Sequence, residues 1–214
     1  MQTGLHHKIF ATNIFVFDDF LDEELANHIK KYIEFPFKKL DKTKSFNRHK
    51  RSYNDNWQTR PDLHTHTLFK PFADKIIKTN EEILKILDYS IEDIKISDMW
   101  ATILRPGESH SIHTHSNNLL SGVYYLQSDE SANIMFNDPR PASDVILPRI
   151  KKTGKDNSNL LGYISTQNRA IIFPSWLQHW VPVNKSINNR ISISWNIQLK
   201  GQVGDHHEFQ SAEF

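Results

Sequence analysis

Apolar residues at helical spacing mark two segments in the N-terminal half of the chain. The first follows Asp22, a residue type that caps helices, and its apolar residues recur every four positions before Pro36. The second spans about residues 67–87, where Pro71 is compatible with a helix only in its first turn. The pattern therefore predicts two packing helices, preceded by a strand within residues 8–17.

From residue 94 onward the apolar period changes to two, which is typical of β-strands. One face of the first strand is predicted to carry Ile94, Ile96, Trp100, Thr102 and Leu104. Further strands are predicted at residues 119–126, 132–136, 163–165, 170–173, 180–183 and 190–199. Helices followed by seven or eight short strands predict an α+β, mainly β fold of the jelly-roll or barrel type.

Two connections stand out between these strands. Arg105-Pro106-Gly107 places Pro and Gly at the central positions of a type II turn. Residues 137–162 are rich in Pro, Lys, Asn and Asp and are too long for a simple hairpin. We expect this segment to be a mobile loop over a functional site.

Length and composition limit the classes of protein. With 214 residues and 38% hydrophobic content, the chain can bury one sizeable core, so we expect a single domain, residues 1–214. Lys and Arg (26) nearly balance Asp and Glu (25), which gives a net charge of +1 and no global field that favours nucleic acid or a membrane surface. The basic run at residues 38–51 is interpreted as a solvated loop rather than a phosphate-binding patch.

The absence of cysteine excludes disulfides and thiolate metal sites. Any metal must therefore be held by His, Asp or Glu. The chain has neither the apolar run of a signal peptide nor a stretch long enough to cross a bilayer, so we expect a cytoplasmic protein. The sequence leaves the oligomeric state open, with a homodimer as one option.

Three histidines form a candidate metal site. On a β-strand, residues two apart point to the same face, so His113 and His115 can present two imidazoles to one ion, with His179 as the third ligand. An iron(II) oxygenase needs three ligands on one side of the metal and open positions opposite. The usual set includes a carboxylate, which lowers the net charge, whereas three neutral imidazoles leave the metal at +2.

Two other arrangements of the metal site are open from the residues alone. A carboxylate from Asp138 or Glu108 could replace His115 in the ligand set. His110 is a weaker candidate, because on a regular strand it would face away from His113.

Arg190 is a candidate anion ligand. It begins a predicted strand whose polar residues 190, 192, 194 and 196 share one face, while the alternate residues are apolar. Arginine can bind a carboxylate through two parallel hydrogen bonds, and Ser192 could donate a third. We therefore expect an organic acid to bind near the metal.

Four sequence blocks together carry a family resemblance. They are His113-Thr-His115, Ser121-Gly-Val-Tyr-Tyr125-Leu, Phe173-Pro-Ser-Trp-Leu-Gln-His179-Trp-Val-Pro and Arg190-Ile-Ser192-Ile-Ser. Over roughly residues 95–199 the chain resembles the iron(II)/2-oxoglutarate oxygenases of bacteria and phages that are related to prolyl hydroxylases.

The resemblance implies a double-stranded β-helix with cupin-like topology that binds Fe(II), 2-oxoglutarate and O2. It implies a hydroxylase that releases succinate and CO2, with His113 and His179 as metal ligands, while His115 stands at the position where most relatives outside this branch have Asp. It also implies that Arg190 and Tyr125 bind the distal carboxylate of 2-oxoglutarate. Residues 1–93 would then support a β-helix core at 94–199, followed by a tail at 200–214.

The sequence does not name the acceptor, which could be a small molecule or a peptide: a free amino acid such as proline, peptidyl proline and a nucleoside-like acceptor are all open. Two other functions remain open. One is a cupin-like three-histidine metal protein that binds a sugar or small acid without 2-oxoglutarate chemistry. The other is a metal-free β-sandwich interaction module.

Overall fold

The computed structural model describes residues 4–5, 7–39, 56–141, 143, 145–146 and 148–214. The basic run at 38–51 therefore lies almost entirely outside the described residues.

Both predicted helices are present. Helix α1 (Glu23–Lys38) begins after Asp22, whose Oδ1 accepts the Leu25 N–H at 2.8 Å. The helix continues past Pro36 to Lys38, because a proline in the last turn removes only one helical hydrogen bond. Helix α2 (Lys70–Ile86) carries its proline in the first turn, as predicted.

Within the described residues the strands are β1 (Phe15–Phe17), β2 (Trp57–Gln58), β3 (Asp93–Leu104), β4 (His110–His113), β5 (Leu120–Gln127), β6 (Ile134–Asn137), β7 (Leu160–Tyr163), β8 (Ala170–Pro174), β9 (His179–Val181), β10 (Arg190–Lys200), β11 (Gln202–Val203) and β12 (Ala212–Glu213). The strand predicted within residues 8–17 is reduced to the three residues that pair with β8. The strand predicted at 163–165 lies earlier, at β7. The predicted tail contains a small β11–β12 hairpin.

Two antiparallel sheets face each other. The larger sheet has the order β1-β8-β5-β10-β3-β2, and the smaller has the order β4-β9-β6-β7. Apolar side chains from both sheets form a shared core between them: Val123, Tyr125, Ile134, Phe136, Ile171 and Phe173. This is the predicted mainly β, double-stranded β-helix architecture, with α1 and α2 packed on the outside of the larger sheet.

A β-bulge in β3 decides which of its residues face inward. Asn196 on β10 pairs with Asp98, but the next residue pairs with Ile96, so Ser97 is an extra residue in the ladder. The bulge reverses the alternation: Ile96 packs toward the helices, whereas Trp100 lines the space between the sheets. The prediction that these two residues share a face is therefore wrong.

The helix-side core explains one motif glycine. Trp195 is fully buried among aromatic rings from the N-terminal segment and α2. A Cβ at Gly122 would lie 2.2 Å from Cε2 of that indole, closer than any real contact. The Ser-Gly motif on β5 therefore makes room for a core tryptophan on the neighbouring strand.

Among the helices of the described residues, none combines the length and the apolar character required to cross a membrane.

Candidate metal and 2-oxoglutarate site

The structure brings His113, His115 and His179 together at one end of the β-helix. One possible ligand nitrogen from each lies within 4.8 Å of the others. His113 ends β4 and pairs across the ladder with His179, the first residue of β9. His115 lies past the end of β4, where its main-chain N–H donates to the Ser175 carbonyl at 2.9 Å. The convergence therefore arises from a loop after the strand, not from the regular strand that the spacing suggested.

Hydrogen bonds fix the tautomer of two of these rings. Nδ1 of His113 lies 2.8 Å from the Ser111 carbonyl, and Nδ1 of His179 lies 2.8 Å from the Leu177 carbonyl. A carbonyl oxygen only accepts, so Nδ1 carries the proton in both rings and Nε2 keeps a free lone pair. Nε2 of His115 lies 3.2 Å from Nε2 of His179. Three lone pairs can thus be directed at one point.

Burial keeps the histidines neutral. Burial is the main cause that lowers the pKa of His179 to about 3, followed by the charge of His113. Burial is also the main cause that lowers the pKa of His115 to about 4, followed by the charge of His113. Neutral imidazole is the form that ligates a metal, so the site is prepared for a cation at neutral pH.

The donor set fits a divalent metal ion. Two ligands at right angles around an ion, each at about 2.1 Å, are about 3 Å apart, close to the 3.2 Å between His115 and His179. All three rings line one cavity, whose remaining space could admit other ligands of the ion.

His110 lies closer to the cluster than predicted. Its ring centroid is 4.6 Å from that of His113, and it lines the same cavity. The expectation that it would face away is wrong, because the β4–β9 ladder is irregular between these two residues. A local irregularity of this kind has no signal in the sequence.

The alternative carboxylate ligands are engaged elsewhere. Asp138 pairs with Arg140, whose Nε lies 3.0 Å from Oδ1. Glu108 pairs with Arg105 at 2.7 Å. In the described parts of the chain, the metal-binding cluster consists of histidines only.

Arg190 lies on the inner face of the larger sheet and is 5% exposed. Its Nη1 donates to Ser192 at 3.1 Å, and its guanidinium lies over the Tyr125 ring, 4.8 Å from the centroid. Its Nε and the Tyr125 hydroxyl are buried without a hydrogen-bond partner among the described residues. No carboxylate of the described residues forms an ion pair with Arg190. Burial lowers the pKa of Arg190 and raises the pKa of Tyr125.

One cavity connects the two groups. The three histidines, Arg190 and Ser192 all line it. Tyr125 is fully buried, and the Arg190 guanidinium lies over its ring. Other lining residues include Trp100, Thr102, Val123, Phe173 and Ser194. A cation site and a cationic side chain therefore share one polar, partly enclosed space.

Sequence reasoning missed the residues around His115. The Trp100 ring stacks against its imidazole, with centroids 5.6 Å apart. Ser121, Ser175 and Asn196 form a buried hydrogen-bonded chain beside it. Asn196 shares the inner face with Arg190 in the alternation of β10, but that pattern assigns it no role.

Solved structures with this fold include several oxygenases. A prolyl-4-hydroxylase from Pseudomonas putida has a TM-score of 0.60 at 12% identity, over 89% of this chain and 94% of that one. The non-heme alpha-ketoglutarate-dependent epimerase SnoN from nogalamycin biosynthesis has a TM-score of 0.64 at 9% identity, over 89% and 77%. HygX from Streptomyces hygroscopicus with nickel and 2-oxoglutarate bound has a TM-score of 0.56 at 10% identity, over 95% and 91%. At these identities the likeness establishes the fold.

Comparison with curated protein sequences gave no match. A family model described as "Putative 2OG-Fe(II) oxygenase" matches residues 98–196, which contain all the predicted site residues. Its description names both predicted cofactors, iron(II) and 2-oxoglutarate. The predicted family resemblance is thereby confirmed over residues 98–196, and the solved structures, prolyl hydroxylases among them, share the fold.

Proposed function

We propose that the protein is an Fe(II)/2-oxoglutarate-dependent dioxygenase that hydroxylates a C–H bond of a small-molecule or peptide substrate. The observation that carries this proposal is the buried Arg190 guanidinium, which has no carboxylate partner among the described residues and lines the same cavity as the three histidines. A buried cation requires a counter-ion, because its desolvation is otherwise uncompensated.

The proposed counter-ion is the distal carboxylate of 2-oxoglutarate. Arg190 can donate two parallel hydrogen bonds to it, with its unpaired Nε as one donor. Ser192 is within reach of the same guanidinium, and the unpaired hydroxyl of Tyr125 is a further donor. The 2-oxo acid end of the molecule would then extend toward the histidines.

His113, His115 and His179 would hold the iron. When bound, iron(II) supplies the chemistry that couples oxidative decarboxylation of 2-oxoglutarate, to succinate and CO2, to hydroxylation of the substrate by O2. The residues of the chain bind, orient and exclude water: the tethered rings keep their lone pairs on one side, and the apolar residues between the sheets limit solvent around the cavity.

The acceptor is proposed by analogy with the neighbouring structures. Prolyl hydroxylases are among them, so peptidyl or free proline is the first acceptor class to test. The polar segment at 137–162 is a proposed determinant of acceptor choice, since its described part has no helix or strand before β7.

The experiment is an anaerobic titration of the Fe(II) protein with 2-oxoglutarate. A visible charge-transfer band is expected to appear for the wild type. Arg190→Ala should retain iron but bind 2-oxoglutarate much more weakly, and its succinate formation should be lost. His179→Ala should bind neither iron nor co-substrate.

Two results would contradict the proposal. If succinate formation were unchanged in Arg190→Ala, the guanidinium would not be the co-substrate ligand. If the wild type bound iron but never consumed 2-oxoglutarate with any acceptor, the cupin-like function, binding of a sugar or small acid without oxidation, would replace it.

A further inference from the structure

The three histidines differ in the hydrogen-bond partner of Nδ1, the ring nitrogen that does not face the cluster. His113 and His179 each donate Nδ1–H to a main-chain carbonyl two residues earlier. In the described part of the chain, no carbonyl of this kind serves His115. Its main-chain N–H donates to the Ser175 carbonyl at 2.9 Å, and the side chain of the same serine leads through Ser121 to the Asn196 amide.

Asn196 is itself held by a chain of buried hydroxyls. Ser175 and Ser121 lie 2.8 Å apart at their oxygens, and Ser121 donates to Oδ1 of Asn196 at 2.9 Å. Because the Asp98 carboxylate only accepts hydrogen bonds, the amide nitrogen Nδ2 is the end that faces its Oδ2, at 3.5 Å, and Oδ1 faces Ser121. The second lone pair of Oδ1 remains able to accept from His115.

The fold places this chain beside His115 by strand register. Ser121 on β5, Asn196 on β10 and Asp98 on β3 are direct partners across three neighbouring strands. The chain ends at Ser175, whose carbonyl accepts the main-chain N–H of His115. Main chain and side chain of the same serine thus connect the loop of His115 to the larger sheet.

The sum of the charges at the site indicates a role for Asp98. Three neutral imidazoles leave a divalent ion at +2, and the buried Arg190 adds a further positive charge. A 2-oxoglutarate dianion offsets two of these charges. One positive charge then remains, and the carboxylate of Asp98 can offset it. Asp98 contacts Asn196 in the network that leads to His115, the histidine at the position of the usual carboxylate ligand.

We propose that Asn196 and Asp98 are positioning residues for the metal centre. Asn196 holds Nδ1–H of His115 so that its Nε2 faces the ion, and Asp98 orients the amide and supplies, outside the ligand set, the negative charge that a carboxylate ligand would bring. Outer partners of ligating histidines typically change metal affinity by about 10–100-fold. This inference rests on the proposed function, because it assumes a metal at the three histidines.

The test is titration of the metal-free protein with Co(II), which reports both affinity and coordination through its visible absorption. Asp98→Asn keeps the shape of a partly exposed side chain and removes only its charge. We expect Asp98→Asn and Asn196→Ala to weaken Co(II) binding by about 10–100-fold. We also expect Asn196→Ala to change the visible spectrum of the bound ion, which a loss of stability alone would not do.

Ser128→Ala is the matched control. Ser128 and Ser165 form another hydroxyl pair at 2.8 Å, outside the network that leads to His115. This variant should bind Co(II) with wild-type affinity and spectrum.

The outcomes separate this inference from the proposed function. Unchanged affinity and spectrum in both variants would overturn the positioning role, as would an equal loss of affinity in Ser128→Ala. If the wild type did not bind Co(II), or if His179→Ala bound it equally well, the proposed metal site itself would fail.

Discussion

The two faces of strand β10 differ in almost every physical property. Ile191, Ile193, Trp195 and Ile197 pack toward the helices and are at most 1% exposed. Arg190, Ser192 and Ser194 alternate with them and line the cavity, and Asn196 lies on the same face of the strand. A single strand therefore contributes apolar packing on one side and polar chemistry on the other.

The comparison shows where stability and function are separated. On the helix face, each side chain fills space among other apolar groups, so its removal leaves a void. Beside the cavity, two buried polar atoms have no partner within the described residues, Nε of Arg190 and the Tyr125 hydroxyl, whereas on the helix face of β10 the only such atom is Nε1 of Trp195. Unpaired buried polar groups cost stability, and the proposed co-substrate would provide hydrogen-bond partners for the two beside the cavity.

The largest expected effect is on the helix face. Ile193→Ala removes a fully buried side chain and should lower the free energy of unfolding by about 2–5 kcal/mol. Urea unfolding followed by far-UV circular dichroism measures it. Ser194→Ala, the next residue on the opposite face, should change stability little. A similar loss in both variants would contradict the separation of the two faces.

The next effect concerns the buried cation. Arg190→Met should leave the stability of the ligand-free protein unchanged or raise it, because a buried charge without a counter-ion is removed. At 2-oxoglutarate concentrations about 100 times Kd, the metal-loaded wild type should gain about 2.7 kcal/mol. The variant should gain none. Thermal unfolding with and without 2-oxoglutarate checks this, and a strong destabilisation of the ligand-free variant would contradict it.

Acidification should act through the buried His179. Its pKa is about 3 in the folded protein and about 6.5 when unfolded, so between these values only the unfolded chain takes up the proton. Stability should therefore fall by about 1.4 kcal/mol per pH unit as the pH drops below about 6.5, with no contribution above it. Unfolding of metal-free protein at several pH values, compared with His179→Gln, isolates this contribution. The same slope in both proteins would contradict the buried neutral imidazole.

The smallest effect is expected at Tyr125. The hydroxyl has no hydrogen-bond partner among the described residues, so Tyr125→Phe should not lower the stability of the ligand-free protein. If the hydroxyl donates to the distal carboxylate, loss of that bond should weaken 2-oxoglutarate binding by about 0.5–1.5 kcal/mol. Isothermal titration of the metal-loaded protein measures the change. An unchanged affinity would mean that the hydroxyl does not contact the ligand.

The local pattern was sufficient for much of the fold. The apolar spacing predicted α1 and α2, and the period of two predicted β10 and the division of its residues between two faces. These features follow from the geometry of one element, which repeats along the chain. The three histidines were predicted from residue chemistry, and the role of Tyr125 was predicted from the family resemblance. Where these side chains lie relative to one another followed only from the three-dimensional structure.

The errors have a common cause. The bulge at Ser97 reversed the faces of β3, and the irregular ladder between His110 and His113 turned His110 toward the site. Both depend on how one strand pairs with another, and that pairing joins residues distant in sequence. The role of Asn196 was not predictable for the same reason, since its partners come from β3, β5 and the residue after β8.

The sequence by itself determined the types of element, the mainly β fold and the residues able to bind a metal and an acid, because side-chain chemistry and periodicity are local properties. The tertiary structure alone decided that His115 reaches the cluster from a loop, that no carboxylate of the described residues joins it, and that Arg190 is buried without a counter-ion. Those facts depend on cross-strand register and on burial, which arise only when distant segments pack together.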